Sequence, residues 1–320
     1  MEEKITNPHD KFFKEVLSNR ENAKDFFTHY LPKEIAKLID LNALEVQKDS
    51  FVEEDLKEFF SDMLYKINLG GYPGYIYILF EHKSYPERLI AFKLLRYLLK
   101  IWELHLKQQQ NVSLPIIIPL VLYHGKESWS VGLRFSDILI GPKEELSAYI
   151  PDFSYLLYDL SQYTDEEIKG IITLKVTLLL LKYIFNPEFP IYLRKILPLL
   201  KGLFDKKTGL EYIEAVFRYI FSATDNITVE EIKVMVEESI SKDKGGEIMS
   251  LAERLRQEGF QQGIKQGLLE AIELGLKLKF GTDGLKIYPE ISRIDNVDTL
   301  KSIKEAIEIA KEIDEIKRFF

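Results

Sequence analysis

Residues 59–84 constrain this chain more than any other stretch. Phe59-Phe60-Ser61-Asp62-Met63-Leu64-Tyr65-Lys66-Ile67-Asn68-Leu69 and Tyr75-Ile76-Tyr77-Ile78-Leu79-Phe80-Glu81 are two strand-like runs, joined through Gly70, Gly71, Pro73 and Gly74. A Gly/Pro-rich connection between such runs favours a hairpin. Each run carries ionisable residues among apolar ones: Asp62 in the first, Glu81 and then Lys83 in the second. Positions i and i+2 of a strand share a face, so Glu81 and Lys83 are expected to point together. Pairing of the runs can bring Asp62 close to Glu81, with the register left open by sequence.

Two carboxylates and an ammonium on paired strands suit metal-assisted phosphoryl chemistry. Mg²⁺ prefers oxygen ligands and retains waters beside one or two carboxylates. A metal on Asp62 and Glu81 would lower the pKa of a bound water and polarise a phosphoryl oxygen. Lys83 would stabilise charge developing on the phosphate. The same residues also read as an edge strand whose charges deter aggregation.

Length and composition narrow the class. The 320 residues suffice for roughly two domains, and 46% hydrophobic with 29% charged residues is ordinary for a water-soluble protein. Cysteine is absent, which excludes disulfides and thiolate-zinc sites. No basic segment followed by an apolar stretch opens the chain, so a cytoplasmic location is expected. The longest apolar runs, near 114–122 and 176–185, fall short of the ~20 residues of a membrane span. A net charge of −8 argues against a wide basic surface, although phosphate contacts can be made locally.

In chain order, residues 8–31 read as one helix, capped by Asn7 with Pro8 at its first position. Phe12, Phe13, Val16, Leu17, Phe26, Phe27 and Tyr30 form its apolar face. Asp10 in the first turn is either a surface acid favoured by the helix dipole or an extra acid at a metal site. A short helix near 33–39 and strands at 44–47 and 50–52 follow. Residues 87–110 read as an amphipathic helix with an apolar stripe of Leu89, Phe92, Leu95, Leu99 and Trp102. Lys93, Arg96 and Lys100 share another face, either solvated or flanking the site. Leu114–Tyr123 reads as a buried strand in which Pro119 implies a bulge or an edge. His124 reads as a structural residue, with a phosphate contact as the alternative. Tyr155–Asp159 suggests one more strand.

From 164 the pattern turns helical. Thr164-Asp165-Glu166-Glu167 signals a helix start, with an all-round apolar helix over Ile168–Phe185 and further helices near 190–204, 208–222 and 228–240. Lys242–Gly246 reads as a linker. Residues 246–278 read as a long polar helix with small residues at Gly259, Gly263, Gly267, Ala271 and Gly275. Glycine costs about 1 kcal/mol per helical site relative to alanine, so this stripe suggests either close helix approach in a homodimer or a hinge. A terminal amphipathic helix is expected over 299–319. The resulting division is 1–160, 161–245, 246–278 and 279–320.

Several of these residues together resemble the recombination-promoting nuclease family, also described as YhgA-like transposases, of the PD-(D/E)XK nuclease superfamily. They are His9-Asp10 with Phe12-Phe13-Lys14, Leu31-Pro32, Ser61–Lys66, Leu79-Phe80-Glu81-His82-Lys83-Ser84, Leu94-Leu95-Arg96-Tyr97 and Pro119–Gly125. The resemblance covers about 1–160 and the Gly/Gln-rich tail. It implies an α/β fold, a mixed sheet flanked by helices followed by an all-α region, and a Mg²⁺-dependent or other divalent-cation-dependent DNA endonuclease. It assigns Asp62 and Glu81 as the motif's two acids, catalytic metal ligands, and Lys83 as its catalytic basic residue. Asp10 matches as an accessory acid; His82, between Glu81 and Lys83, is a further accessory candidate, and the face of Lys93, Arg96 and Lys100 is, from its spacing, the expected DNA contact. Ser61 stands where the superfamily's proline would be. Many relatives carry Gln where this chain has Lys83, so the fuller pattern is kept here. The competing expectation is an inactive DNA-binding or assembly module that dimerises through the long helix. No third acid arranged for DDE-type strand transfer is visible.

Overall fold

The computed structural model describes residues 8–47, 63–81, 83, 85–108, 113–204 and 207–319. Asp62 and His82 lie outside the described residues, as do Asn7 and the strand expected at 50–52. The chain divides into two compact units at residue 246.

The first unit is built on a five-stranded sheet in sequential order: β1 (Ile39–Gln47), β2 (Met63–Leu69), β3 (Tyr72–Glu81), β4 (Ile116–Tyr123) and β5 (Leu156–Asp159). β1, β2 and β3 are antiparallel neighbours, while β3, β4 and β5 run parallel. The sheet is therefore mixed, and the fold is α/β. The β2–β3 hairpin turns on Gly70 and Gly71 alone, with φ of 61° and 92°. Two positive-φ residues suit a tight turn that matches strand twist. Pro73 and Gly74 lie inside β3, opposite Asn68 and Ile67. Pro119 lies in β4 just before Leu120, where pairing with β5 begins. A residue without an N–H is tolerated where one side of its strand is open.

The helices α1 (Pro8–Leu17), α2 (Arg20–Tyr30) and the short α3 (Lys33–Ala36) precede the sheet. The single helix expected over 8–31 is thus two. Asn19 breaks it, because its side chain accepts hydrogen bonds from the Glu21 and Asn22 amides and caps α2. Phe13 of α1 stacks on Phe80 of β3 at 4.3 Å, and Phe27 of α2 meets Tyr65 of β2 edge-on at 5.0 Å.

The crossover helix α4 (Ile90–Gln108) covers the other face. Ile90, Ala91, Leu94, Tyr97 and Leu98 pack with Tyr75, Tyr77 and Leu79 of β3 and Ile117, Val121 and Tyr123 of β4. This differs from the expected stripe: Leu89, Phe92 and Leu99 are exposed, and only Leu95 and Trp102 of it pack against the core. α4 is apolar on more than one side, so spacing alone did not select the buried one.

The helices α5 (Ile172–Tyr183), α6 (Phe189–Ile196), α7 (Lys207–Ala223) and α8 (Val229–Ser239) complete this unit. Thr164 and Glu167 do exchange capping hydrogen bonds, but the helix does not continue from them. Gly170 has φ +123°, and α5 begins only after it. Helix α1 is pinned to this layer by Phe12 stacked on Tyr219 at 4.3 Å and by His9 Nδ1 at 2.8 Å from the Tyr219 hydroxyl.

Residues 242–246 are helical rather than a linker: α9 runs Lys242–Leu285, broken in conformation at Gly281 (φ 61°). The second unit then adds α10 (Tyr288–Ile291), α11 (Val297–Ile309, capped by Asn296) and α12 (Ile313–Ile316). Its core is Leu269, Ile272, Leu276, Ile287, Ile291, Leu300, Ile303 and Ile307. Of the small-residue stripe, Gly275 packs on Ile307, whereas Cβ atoms added at Gly259, Gly263 and Gly267 would meet nothing within 4 Å.

Two stability outcomes follow. Phe13→Ala should lose about 3–5 kcal/mol, the usual loss for a buried aromatic, seen as a lower urea midpoint at unchanged slope. Gly263→Ala should raise the stability of the second unit of a single chain, measured at dilution, by up to about 1 kcal/mol, because within one chain the added methyl group meets nothing within 4 Å.

Candidate active site

Three parallel strands end together. Glu81 closes β3 with Tyr123 of β4 as its partner, and Tyr123 pairs in turn with Asp159 of β5. Ligands of open α/β sheets bind at such carboxyl edges. The alternation that turns Tyr77 and Leu79 toward α4 places Glu81 on the same face.

Glu81 is only 2% exposed. Its Oε1 accepts the Lys83 amide N–H at 3.1 Å. Its Oε2 is buried and has no hydrogen-bond partner among the described residues. The Lys93 ammonium, from the first turns of α4, stands 3.9 Å from that oxygen. The strand ends at Glu81, so the alternation expected to align Lys83 with Glu81 does not extend to it. Lys83 Nζ instead donates to Glu87 Oε2 at 2.7 Å, and Lys93 Nζ lies 4.0 Å from that same Glu87 oxygen.

These contacts set the charges. Burial alone would raise the Glu87 carboxyl; the hydrogen bond from Lys83 and the charges of Lys93 and Lys83 outweigh it and hold Glu87 below the usual range. Burial alone would lower Lys83; its hydrogen bond and charge pairing with Glu87, with Glu81 behind, raise it. Glu87 reads in the sequence as a counter-charge at the start of a helix. Its spacing of four from Lys83, directly before an apolar helix, was the available signal.

The other candidates lie on separate elements. Arg96 and Lys100 are exposed on α4, and Lys100 is bonded to Glu103 at 3.0 Å. Asp10 is half-buried in the first turn of α1, against the face opposite α4. His124 is a packing residue: it is 2% exposed and stacks between Phe80 at 4.8 Å and Phe185 at 5.3 Å. Its amide reaches the Glu81 carbonyl at 3.3 Å. Asp159, also buried, is committed to the Ser161 and Trp129 amides. Burial, with the charges of Asp159, Glu127 and Glu81, pushes the Tyr123 hydroxyl up to about 12.

Among the described residues, no three His, Asp or Glu side chains form a ready metal cluster. An oxygen-preferring ion nevertheless fits Glu81, whose buried oxygen lacks a hydrogen bond and faces Glu87 across one ammonium.

Fold and edge thus define an α/β protein with a carboxylate–lysine centre at the carboxyl ends of parallel strands. The chain belongs to the family described as "Putative transposase, YhgA-like", which matches residues 7–211. It is 33% identical over 257 residues to the recombination-promoting nuclease RpnA of Escherichia coli K12, covering 80% of this chain and 86% of that protein. It is 30% identical over 281 residues to the inactive recombination-promoting nuclease-like protein RpnE of the same strain, covering 87% and 91%. Recombination-promoting nuclease RpnC, from the same strain, is 31% identical over 201 residues, covering 62% and 66%. No solved structure matches. Among the described residues, no helix is long and apolar enough to cross a membrane.

The Lys83–Glu87 pair makes a pH prediction. A carboxyl held below its unfolded value contributes stability above that value and loses it as pH falls through the folded one; a raised lysine contributes below its unfolded value and loses it as pH rises through the folded one. Glu87→Gln should therefore lower stability at pH 7, by at most about 1 kcal/mol given solvent screening. The gap to wild type should close below the carboxyl's ordinary 4.5 and above the ammonium's ordinary 10.5, as read from urea unfolding across pH.

Proposed function

We propose that this chain is a divalent-cation-dependent DNA endonuclease that hydrolyses phosphodiester bonds with low sequence specificity in the cytoplasm and promotes recombination. The observation that carries this reading is Glu81: a buried carboxylate with one oxygen lacking a hydrogen bond, beside two lysines, where parallel strands end. The names of RpnA and RpnC support the same direction.

In this reading Asp62 and Glu81 hold Mg²⁺ or a similar ion. When bound, the ion supplies an acidified water and polarises the phosphoryl group. The chain's own residues do the rest. Glu81 gives a fixed anionic anchor, and Lys83 stabilises charge on the phosphate as it develops. Arg96 and Lys100 neutralise neighbouring phosphates along α4, joined by Lys93. Asp10 and His82 support the centre. With a net charge of −8, attraction to the duplex is local and should weaken steeply with salt. Two copies associate through the open glycine face of α9.

A second reading, an inactive DNA-binding or assembly module, is favoured by one relative, RpnE, which is named inactive. Plasmid nicking separates the two. Wild type should nick supercoiled DNA with Mg²⁺ and not with chelator, and Asp62→Ala, Glu81→Gln and Lys83→Ala should each cut about a hundredfold more slowly or worse. Tight DNA binding with no cut under Mg²⁺, Mn²⁺ or Ca²⁺ would establish the second reading.

A further inference from the structure

The Glu81 edge holds more charge than the proposed chemistry uses. Two carboxylates and two ammonium groups meet there, and their pairing is uneven. Lys83 is fully engaged by Glu87 at 2.7 Å. Lys93 is not engaged in that way. Its ammonium stands 3.9 Å from Glu81 Oε2 and 4.0 Å from Glu87 Oε2, beyond hydrogen-bond length to either. It sits between two anions as a counter-ion rather than as a donor.

The position of Lys93 is also unfavourable in its own helix. The first turns of a helix carry the positive end of the dipole, where acids are preferred and cations are not. α4 has no acid in its first turn; Glu87, whose carbonyl accepts the Ile90 amide at 3.1 Å, stands just before it. An ammonium is kept at this end by the two carboxylates it faces. Glu81 contributes the independent observation: it is 2% exposed, and its inward oxygen has no hydrogen bond among the described residues. A buried carboxylate oxygen left in that state is costly. A small cation brought into contact would relieve it better than an ammonium at 3.9 Å.

Resting on the reading of this edge as a divalent-ion centre, we infer that Glu87 is a further carboxylate of that ion's site, and that Lys93 is a resident counter-ion which the ion displaces. Glu81 is the inner anchor and Glu87 the outer anion, which accepts hydrogen bonds from the ion's retained waters. Lys93, once released, swings from the carboxylates to the solvent side of the edge, where a phosphate would lie. Ion binding and phosphate binding are thereby coupled through one side chain.

The test is Mn²⁺ binding to the full chain without DNA, by electron paramagnetic resonance or calorimetry. The variants are Glu81→Gln, Glu87→Gln, Glu87→Asp and Lys93→Met, each checked for folding by urea unfolding. Removing a competing cation should tighten Mn²⁺ binding by Lys93→Met about five- to tenfold. Glu87→Gln should weaken it about tenfold, the usual scale for an outer-sphere partner, and Glu87→Asp should recover most of that. Glu81→Gln should abolish binding. Unchanged affinity in Glu87→Gln, weaker affinity in Lys93→Met, or no Mn²⁺ uptake by wild type would each overturn the inference. The variant outcomes, read where wild type does take up Mn²⁺, overturn the inference alone; absent uptake by wild type overturns the ion-dependent reading with it. A chain that binds Mn²⁺ with this pattern but never nicks plasmid keeps the inference and loses the activity.

Discussion

Everything in the first unit bears on one awkward act, the burial of the Glu81 carboxylate at the end of a central strand. An isolated buried carboxylate would be neutralised or expelled. Here three features hold it. The Lys83 amide satisfies one oxygen, Lys93 stands near the other, and β4 locks the backbone on which it sits. The lysine comes from the helix that crosses from β3 to β4, so the parallel connection and the charge balance are the same piece of chain. A two-residue hairpin in place of that crossover would leave the acid alone.

The opposite face of the sheet supports the same point. Phe80, the residue before Glu81, is stacked by Phe13 and by His124. His124 in turn lies on Phe185 and near His9. The strand end is thus gripped from one side by apolar rings and from the other by charge. Rigid support of this kind holds a side chain in one place. The histidine that the sequence marked as structural does its work as an aromatic slab.

What could be read from the sequence was the local part. The hairpin, the Pro8 helix start and the long β-branched strand all follow from turn residues and periodicity, whereas the terminal helix expected over 299–319 is broken after Ile309 into two shorter ones. The unread parts were decided by tertiary competition. Asn19 chose to cap α2 rather than sit mid-helix, Gly170 delayed α5 past a sound capping box, and α4 buried Ile90, Leu94 and Tyr97 instead of the equally periodic Leu89, Phe92 and Leu99. In the candidate site, Glu81, Lys83 and Lys93 were visible as residue types, but their pairing was not. Alternation stops where a strand stops, and Glu87, one residue beyond a proline, took the lysine that the strand pattern had assigned to Glu81.

The bond between His9 and Tyr219 spans 210 positions, and Phe12 rests on the same tyrosine. During synthesis the opening helix therefore leaves the ribosome long before its cover exists. At about 5–20 residues per second, that aromatic surface waits on the order of ten to forty seconds. Over that interval the nascent chain presents an uncovered sticky flank to the cell. Any shortened version ending after the sheet would carry that flank permanently, and its solubility, more than its chemistry, would decide what an experimenter sees.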